Sequence, residues 1–232
     1  MRALVTGCTG QVGKAVIELL LSQGWEAVGV ARRIDRALNT TMFRAISVDL
    51  ADPDDISQSI PRKPLLDLVV MTHGTQHGVT IGDPAFESWY REIVDNNLTS
   101  AVHLTNHLIF NNQLNPGSLI IYCSSIHATQ PRRGRSPYAI AKAGLEALTR
   151  SVAIEQAPKV RAVALRLGQL EKPMKGISFT PEQEAAIKEC TPLKWVSPSE
   201  VAALCLALYE QKSMTASVID LDSGHHINVW PD

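Results

Sequence analysis

Residues 2–13, Arg-Ala-Leu-Val-Thr-Gly-Cys-Thr-Gly-Gln-Val-Gly, decide the fold. Arg2 to Thr6 is a short apolar run of strand character, and Gly7, Gly10 and Gly13 follow at once. Val12, Val16 and Leu19 then recur at helical spacing up to Gly24, a residue suited to the position just past a helix C-terminus. Strand, glycine turn and helix is the context in which a glycine motif binds a dinucleotide. Gly7 permits the tight turn, Gly10 lets the backbone approach a pyrophosphate, and Gly13 lets the helix pack closely. Thr9, Gln11 and Val12 share this turn, where a helix N-terminus offers amide donors and a positive dipole to phosphate.

Outward from the turn, a second strand from Trp25 to Ala31 ends in Arg32-Arg33. Dinucleotide folds that take NAD place a carboxylate here for the ribose 2′-hydroxyl. Two guanidiniums suit a 2′-phosphate instead, so NADP(H) is expected over NAD(H). The third strand, Phe43 to Val48, leads to Asp49-Leu50, where the carboxylate can accept from an adenine amino group or cap the next turn. Residues 33–42 are too short and polar to suggest a helix. Leu65 to Thr72 is nearly all apolar, as a parallel strand covered on both faces requires. It ends in Thr72-His73-Gly74: Gly74 allows backbone to pass close to a cofactor, and His73 reads as an incidental polar residue. A long helix is expected from Pro84 to Phe110, interrupted by Asn96 and Asn97, which mark a kink or a functional water site.

In the second half, Ser118 to Cys123 is a strand delivering Ser124 and Ser125 at its end. A helix follows over Ser136 to Gln156, and on it Tyr138 and Lys142 share one face. An ammonium beside a phenol favours the phenolate. Tyr138 is therefore expected to titrate below its usual value of about 10 and to exchange protons near neutral pH. Val160 to Leu167 is another strand, ending at Gly168. Helix starts with capping-box patterns stand at Thr180 and Ser197, and a last strand, Ala216 to Leu221, precedes Asp222-Ser223-Gly224. This alternation indicates an α/β protein: one doubly wound parallel sheet of about seven strands with helices on both faces. A single domain over residues 1–232 is expected, its first half for the cofactor and its second for catalysis and the substrate loop.

Bulk composition fits such a domain. The 232 residues are 45% hydrophobic and 19% charged, as in a folded globular protein. A formal net charge of -1 gives no electrostatic case for nucleic acid or an anionic membrane. No apolar run is long enough to span a bilayer, no signal peptide is expected, and the four cysteines show no Cys-x-x-Cys spacing. Together these point to the cytoplasm. His225-His226 has no cysteine or acidic ligands placed to complete a metal site, so no metal is expected and the pair reads as a tail or interface element.

With these motifs in this order, the chain resembles the short-chain dehydrogenase/reductase family along essentially its whole length. The matching pieces are Thr6-Gly7…Gly10…Gly13, Asp49, Gly74, Asn97-Leu98, Ser125, Tyr138-Ala-Ile-Ala-Lys142 and Asp222-Ser-Gly. The resemblance implies a Rossmann-like fold and a catalytic tetrad. In it Tyr138 exchanges the proton with the carbonyl oxygen and Ser125 hydrogen-bonds that oxygen. Lys142 lowers the tyrosine pKa and holds the nicotinamide ribose, and Asn97 fixes a water that links the lysine to solvent. It further implies a small carbonyl or alcohol substrate, hydride transfer with NADP(H), and a homodimer or homotetramer. The C-terminal Ile227, Val229 and Trp230 are candidates for that interface.

The sequence also departs from the family pattern. The glycine spacing looks more like the branch acting on nucleotide-activated sugars. Met71-Thr-His-Gly74 replaces the usual Asn-Asn-Ala-Gly, and Leu167-Gly168 replaces Pro-Gly. An epimerase or dehydratase on a nucleotide-activated sugar, and a non-catalytic dinucleotide-sensing module, therefore stand as alternatives. Around the expected substrate pocket, Ile126, Leu170, Met174, Ile177, Phe179 and Trp195 are apolar lining candidates. Arg132, Arg133 and Arg135 precede Tyr138 closely enough for one of them to reach a substrate carboxylate or phosphate.

Overall fold

Alternate residues of each inner strand serve opposite faces of the sheet, which is why these strands read as unbroken apolar runs. The computed structural model describes residues 1–34, 39–172, 178–189, 191–193 and 195–227; Met174, Ile177, Cys190, Val229 and Trp230 lie outside the described residues. The strands are β1 (Arg2–Thr6), β2 (Glu26–Ala31), β3 (Phe43–Ser47), β4 (Leu66–Met71), β5 (Leu114–Ser125), β6 (Val160–Leu167) and β7 (Ser217–Leu221). They form one sheet in the order β3-β2-β1-β4-β5-β6-β7, parallel at every pairing. The strand order turns back between β1 and β4, and the crevice at their carboxyl ends is where such sheets bind ligands.

Helices cover both faces. Ala3, Val5, Leu68, Val70, Leu119 and Ile121 pack with α1 (Gln11–Ser22) and α7 (Pro198–Glu210). Their neighbours Leu4, Val69, Met71, Ile120 and Tyr122 pack on the other face with α2 (Pro53–Ser59), α4 (Ser100–Phe110) and α5 (Ser136–Gln156). The remaining helices are α3 (Phe86–Val94) and α6 (Pro181–Glu189). Trp25, expected within the second strand, instead precedes it; fully buried, it meets Tyr209 of α7 edge to face at 4.9 Å between ring centroids. Among the described residues no helix separates β2 from β3, and none is long and apolar enough to cross a membrane.

The interruption expected in the long helix takes a definite form, and one strand boundary is corrected. The helix expected over Pro84–Phe110 is interrupted by a π-helical turn, Asp95–Thr99, between α3 and α4. Its cause is Asn97, whose Nδ2 donates to Ile93 O (2.8 Å) and to Thr75 O (2.7 Å). A side chain that occupies the carbonyl four residues back displaces the regular backbone ladder, and the helix widens there. Strand β5 begins at Leu114, not at Ser118, because the ladder with β4 continues past a register shift at Leu66/Leu68. Asn115-Pro116-Gly117 resembles a turn in sequence but is accommodated in this irregularity, with Gly117 at φ 79°.

A polar clamp fixes α5 to the sheet. Arg166 of β6 donates through Nε and Nη2 to the two carboxylate oxygens of Glu146 on α5, at 3.0 and 2.9 Å. Its Nη1 reaches Asp220 of β7 at 2.9 Å, while Ser124 of β5 donates to Glu146 Oε1 at 3.0 Å. The Glu146 and Arg166 side chains are only 8% and 16% exposed, so removing one partner strands a largely desolvated charge. Glu146→Leu is expected to lower unfolding stability by roughly 3 kcal/mol, the low end for a broken buried pair because Asp220 remains. Urea denaturation checks this as a lower midpoint at an unchanged slope.

Candidate active site

A cleft of about 930 Å³ opens along the carboxyl ends of the strands. Its floor begins with the glycine turn. Gly7 has φ 64°, and a Cβ there would lie 2.8 Å from Thr72 Oγ1 and 2.9 Å from the His73 amide nitrogen. Gly13 packs behind the turn rather than lining the cleft, since a Cβ would fall 2.4 Å from Gly7 O. Gly10 caps α1 without a side-chain acceptor, which leaves the first amides of the helix available to an anion. Thr9, Gln11 and Val12 line the cleft beside it, and Gln11 Nε2 donates to Lys172 O at 2.7 Å.

Arg32 and Arg33 follow β2 and are exposed at the cleft wall, with Asp49, Leu50 and Gly168 also lining it. Asp49 serves as a turn cap, accepting from the Ala51 amide at 3.0 Å, while still facing the cleft. Gly168 is required by close packing: a Cβ would lie 2.6 Å from Asp222 Cα.

The four residues of the expected tetrad converge at the other end. Ser124 and Ser125 end β5, but they face different duties. Ser124 is bound to Glu146 Oε1 and Lys142 O, whereas Ser125 accepts from the His127 amide at 3.2 Å and hydrogen-bonds Tyr138. Lys142 is 4% exposed, its Nζ donates to Cys123 O at 2.9 Å, and it lies 5.4 Å from the Tyr138 ring centroid. Asn97 is 1% exposed and lies behind the cleft wall at Gly74. Its Oδ1 is buried without a partner, next to the point where a Gly74 Cβ would stand; Lys142 Nζ is 3.6 Å from the same point. Any side chain at Gly74 would separate these two groups.

The expectation that Lys142 pulls the Tyr138 pKa down is overturned. Burial pushes the phenol up to about 12, against opposing effects of the Ser125 hydrogen bond and the Arg135 charge. Burial also lowers Lys142 to about 8. The lysine is engaged by the Cys123 carbonyl, and desolvation governs both groups. Tyr138 is thus a protonated phenol at neutral pH.

Several cleft residues escaped the sequence reading. His73, read as incidental, bridges Thr6 Oγ1 and Ser100 Oγ, an arrangement suited to a neutral imidazole with one donor and one acceptor nitrogen. Gln76, Asn96, Ser100, His127 and Gln169 also line the cleft. So does His225, which is fully buried and contacts Thr191 and Arg132 rather than belonging to a tail. His226 pairs with Asp222 at 2.8 Å, and the described residues hold no group suited to a metal ion. Of the expected substrate residues, Ile126, Leu170, Phe179, Arg132 and Arg135 line the cleft. Arg133 does not; it is exposed elsewhere on the loop, and Trp195 lies in a separate hollow with Glu171, Glu184, Lys188 and Leu193.

Comparison with known proteins agrees with this architecture. A family profile described as enoyl-(acyl carrier protein) reductase matches residues 11–226. The 3β-hydroxysteroid dehydrogenase 1 of Eggerthella lenta is 28% identical over 242 residues, covering 95% of this chain and 92% of that protein. A Haemophilus influenzae protein with the name "Probable NADP-dependent dehydrogenase" is 25% identical over 225 residues, covering 90% and 87%. A short-chain dehydrogenase family protein from Francisella tularensis superposes with a TM-score of 0.87 at 24% identity, over 98% of this chain and 99% of that one. The chain belongs to the short-chain dehydrogenase/reductase family, oxidoreductases acting on CH–OH groups with NAD(P).

Burial lowers the His73 pKa to about 3, with the charges of Lys142 and Arg32 adding to the effect, and lowers His127 to about 4. Between these values and about 6.5 the unfolded chain binds protons that the folded chain refuses. Stability from both groups is complete above about pH 6.5 and is lost as pH falls through this window. Wild-type Tm should drop steadily from pH 6.5 to 4.5, and less in His73→Asn; identical slopes would refute a buried neutral His73.

Proposed function

We propose that the protein is an NADP(H)-dependent carbonyl reductase or alcohol dehydrogenase with Tyr138 as general acid/base. The observation that carries this reading is the convergence of Ser125, Tyr138 and Lys142 at one end of a cleft whose other end is a glycine turn with an open helix N-terminus. The residues present fit a dinucleotide. Gly7 makes the tight turn at φ 64°, Gly10 lines the cleft, and the uncapped α1 amides would donate to a pyrophosphate. Arg32 and Arg33 would hold a ribose 2′-phosphate and Asp49 the adenine side, and Gly74 and Gly168 line the same cleft. The cofactor, when bound, supplies or accepts the hydride.

The remaining steps belong to this chain. The Ser125 hydroxyl donates to the substrate carbonyl oxygen and fixes it beside Tyr138. The protonated phenol then releases its proton to that oxygen as the alcohol forms, and in the reverse direction its phenolate recovers it. The Lys142 ammonium, 5.4 Å from the ring centroid, would offer its other N–H groups to the nicotinamide ribose. Asn97 Oδ1, buried beside the lysine, accepts from the water that returns a proton to this pair.

In this reading the partners are a small carbonyl compound and a second copy of the chain. Exposed Val102 and Phe110 on α4 and Ile140 and Ile154 on α5 support the latter.

Two measurements test the proposal. Tyr138→Phe should reduce carbonyl-dependent oxidation of NADPH at least about a thousandfold while the dinucleotide still binds, and near-wild-type turnover would refute the role of the phenol. Arg32→Ala with Arg33→Ala should raise the Kd for NADPH at least about tenfold and leave that for NADH within about twofold. Equal effects on the two cofactors would remove the 2′-phosphate assignment.

A further inference from the structure

The catalytic end of the cleft holds two arginines that hydride transfer does not need. Arg132, Arg135, His127 and His225 all line it. Burial, with the charges of Arg132 and Arg135, lowers the His127 pKa to about 4, and burial with Arg132 lowers that of His225, so the positive charge at this end resides on the guanidiniums. Among the described lining residues the sole carboxylate is Asp49, which stands after β3 and caps its own turn. Asp222, the acid nearest in sequence to His225, is 3% exposed and accepts from the amides of Gly224 and His226 and from His226 Nδ1.

Arg135 is the informative member. Its guanidinium is half-buried, and with the Gln76 amide oxygen facing it, Nε and Nη1 donate to that oxygen at 3.0 and 2.9 Å. Gln76 is neutral, and among the described residues no carboxylate pairs with Arg135. Arg166 and Arg161, also withdrawn from solvent, have every guanidinium nitrogen engaged within the fold, Arg166 by Glu146 and Asp220 and Arg161 by the backbone carbonyls of Gly117, Leu208, Tyr209, Gln211 and Met214. Arg135 has instead an amide that orients the fork and leaves its charge uncompensated within the substrate end of the cleft. The side chain makes no cap for α5, although Arg135 occupies the N-cap position, so helix formation does not account for it.

We infer that Arg135, with Arg132 on the same loop, binds a carboxylate of the substrate, so that the natural substrates are short keto acids and the corresponding hydroxy acids. This rests on the carbonyl-reductase reading above and adds the substrate class to it. The planar fork matches a carboxylate through two parallel N–H donations, and Gln76 fixes the plane of the fork. Ile126, Leu170 and Phe179 supply the apolar wall for a short carbon chain. A carboxylate held by Arg135 fixes the distance from the anion to the carbonyl carbon, because the Tyr138 and Ser125 hydroxyls hold the carbonyl oxygen. The site therefore selects by the spacing between two functional groups.

The test compares short keto acids with their methyl esters and with a phosphorylated ketone of similar length, using NADPH and the full chain. Wild type should show kcat/KM for the best acid at least about tenfold above its ester. Arg135→Gln should collapse that ratio mainly by raising KM for the acid, and Arg135→Lys should restore part of it. Ester turned over as well as acid, or a ratio unchanged in Arg135→Gln, would overturn the inference while leaving the reductase reading intact. A preference for the phosphorylated ketone would overturn the carboxylate in favour of phosphate. If no carbonyl compound is reduced, the reductase reading fails, and calorimetry with butyrate on the NADPH-loaded protein decides the site separately. Binding that is weakened at least about tenfold in Arg135→Gln supports an anion site, and absent or unchanged binding refutes it. Thermal melts of both variants, expected to match wild type, exclude misfolding as the cause.

Discussion

An ammonium buried against a backbone carbonyl governs the site. Lys142 Nζ on Cys123 O joins α5 to the end of β5, and the same burial sets the protonation of its neighbour Tyr138. Removing a lysine from water is costly and persists only where the surroundings hold it in place. The Glu146–Arg166–Asp220 clamp, one helical turn further along α5, provides that hold by tying the helix to β6 and β7. Ser124 completes it, with a hydroxyl bound both to Glu146 and to the Lys142 carbonyl. Ser125 is thereby left as the hydroxyl in contact with Tyr138, since its neighbour is already committed to the interior.

The opposite wall follows the same logic through backbone rather than charge. The amide of Asn97 reaches across to Thr75 O and back to Ile93 O, and the π-helical turn results. Its other end, the unpartnered Oδ1, remains beside Gly74 near Lys142. Gly74 has no Cβ because one would meet that oxygen at 2.3 Å. A local widening of one helix and a bare backbone position on a neighbouring loop are thus two halves of one arrangement. Both are needed to bring an amide and an ammonium to the same point.

The parts of this site legible in sequence are those set by local spacing. Gly7, Gly10 and Gly13 lie on one strand–helix turn, and Tyr138 and Lys142 lie one helical turn apart, so their proximity needs no knowledge of the fold. Asn97 was half legible: it is an evident misfit in a helix, but its partner Thr75 O lies on another segment. Gln76, His127 and His225 carry no local signal, because only the folded chain brings their loops to one cleft. Loop spacing likewise could not separate Arg133, which is exposed, from Arg132 and Arg135, which line the cleft. The Tyr138 pKa is not legible from spacing for a related reason. Spacing reveals which charge is nearby, whereas the depth of burial, which here dominates, is a property of the whole packing.

Charge illustrates the same separation between the chain as a whole and its site. The net charge of -1 describes an almost neutral protein, yet Arg32, Arg33, Arg132, Arg135 and Lys142 all line the cleft against a single aspartate. Among the described residues other acids stand on helix ends and in the clamp beneath α5. Low-dielectric walls on both sides of such a cleft focus the field of its charges, a local effect that the net charge of the chain does not reveal. The two arginine pairs stand on loops from opposite halves of the sheet, one after β2 and one after β5, with the phenol and lysine on α5 at the second end. A dinucleotide carries its phosphates toward the first end and leaves its reactive ring free of negative charge. The second arginine pair stands where that ring, rather than a phosphate, would lie, which is the ground for the substrate carboxylate inferred above.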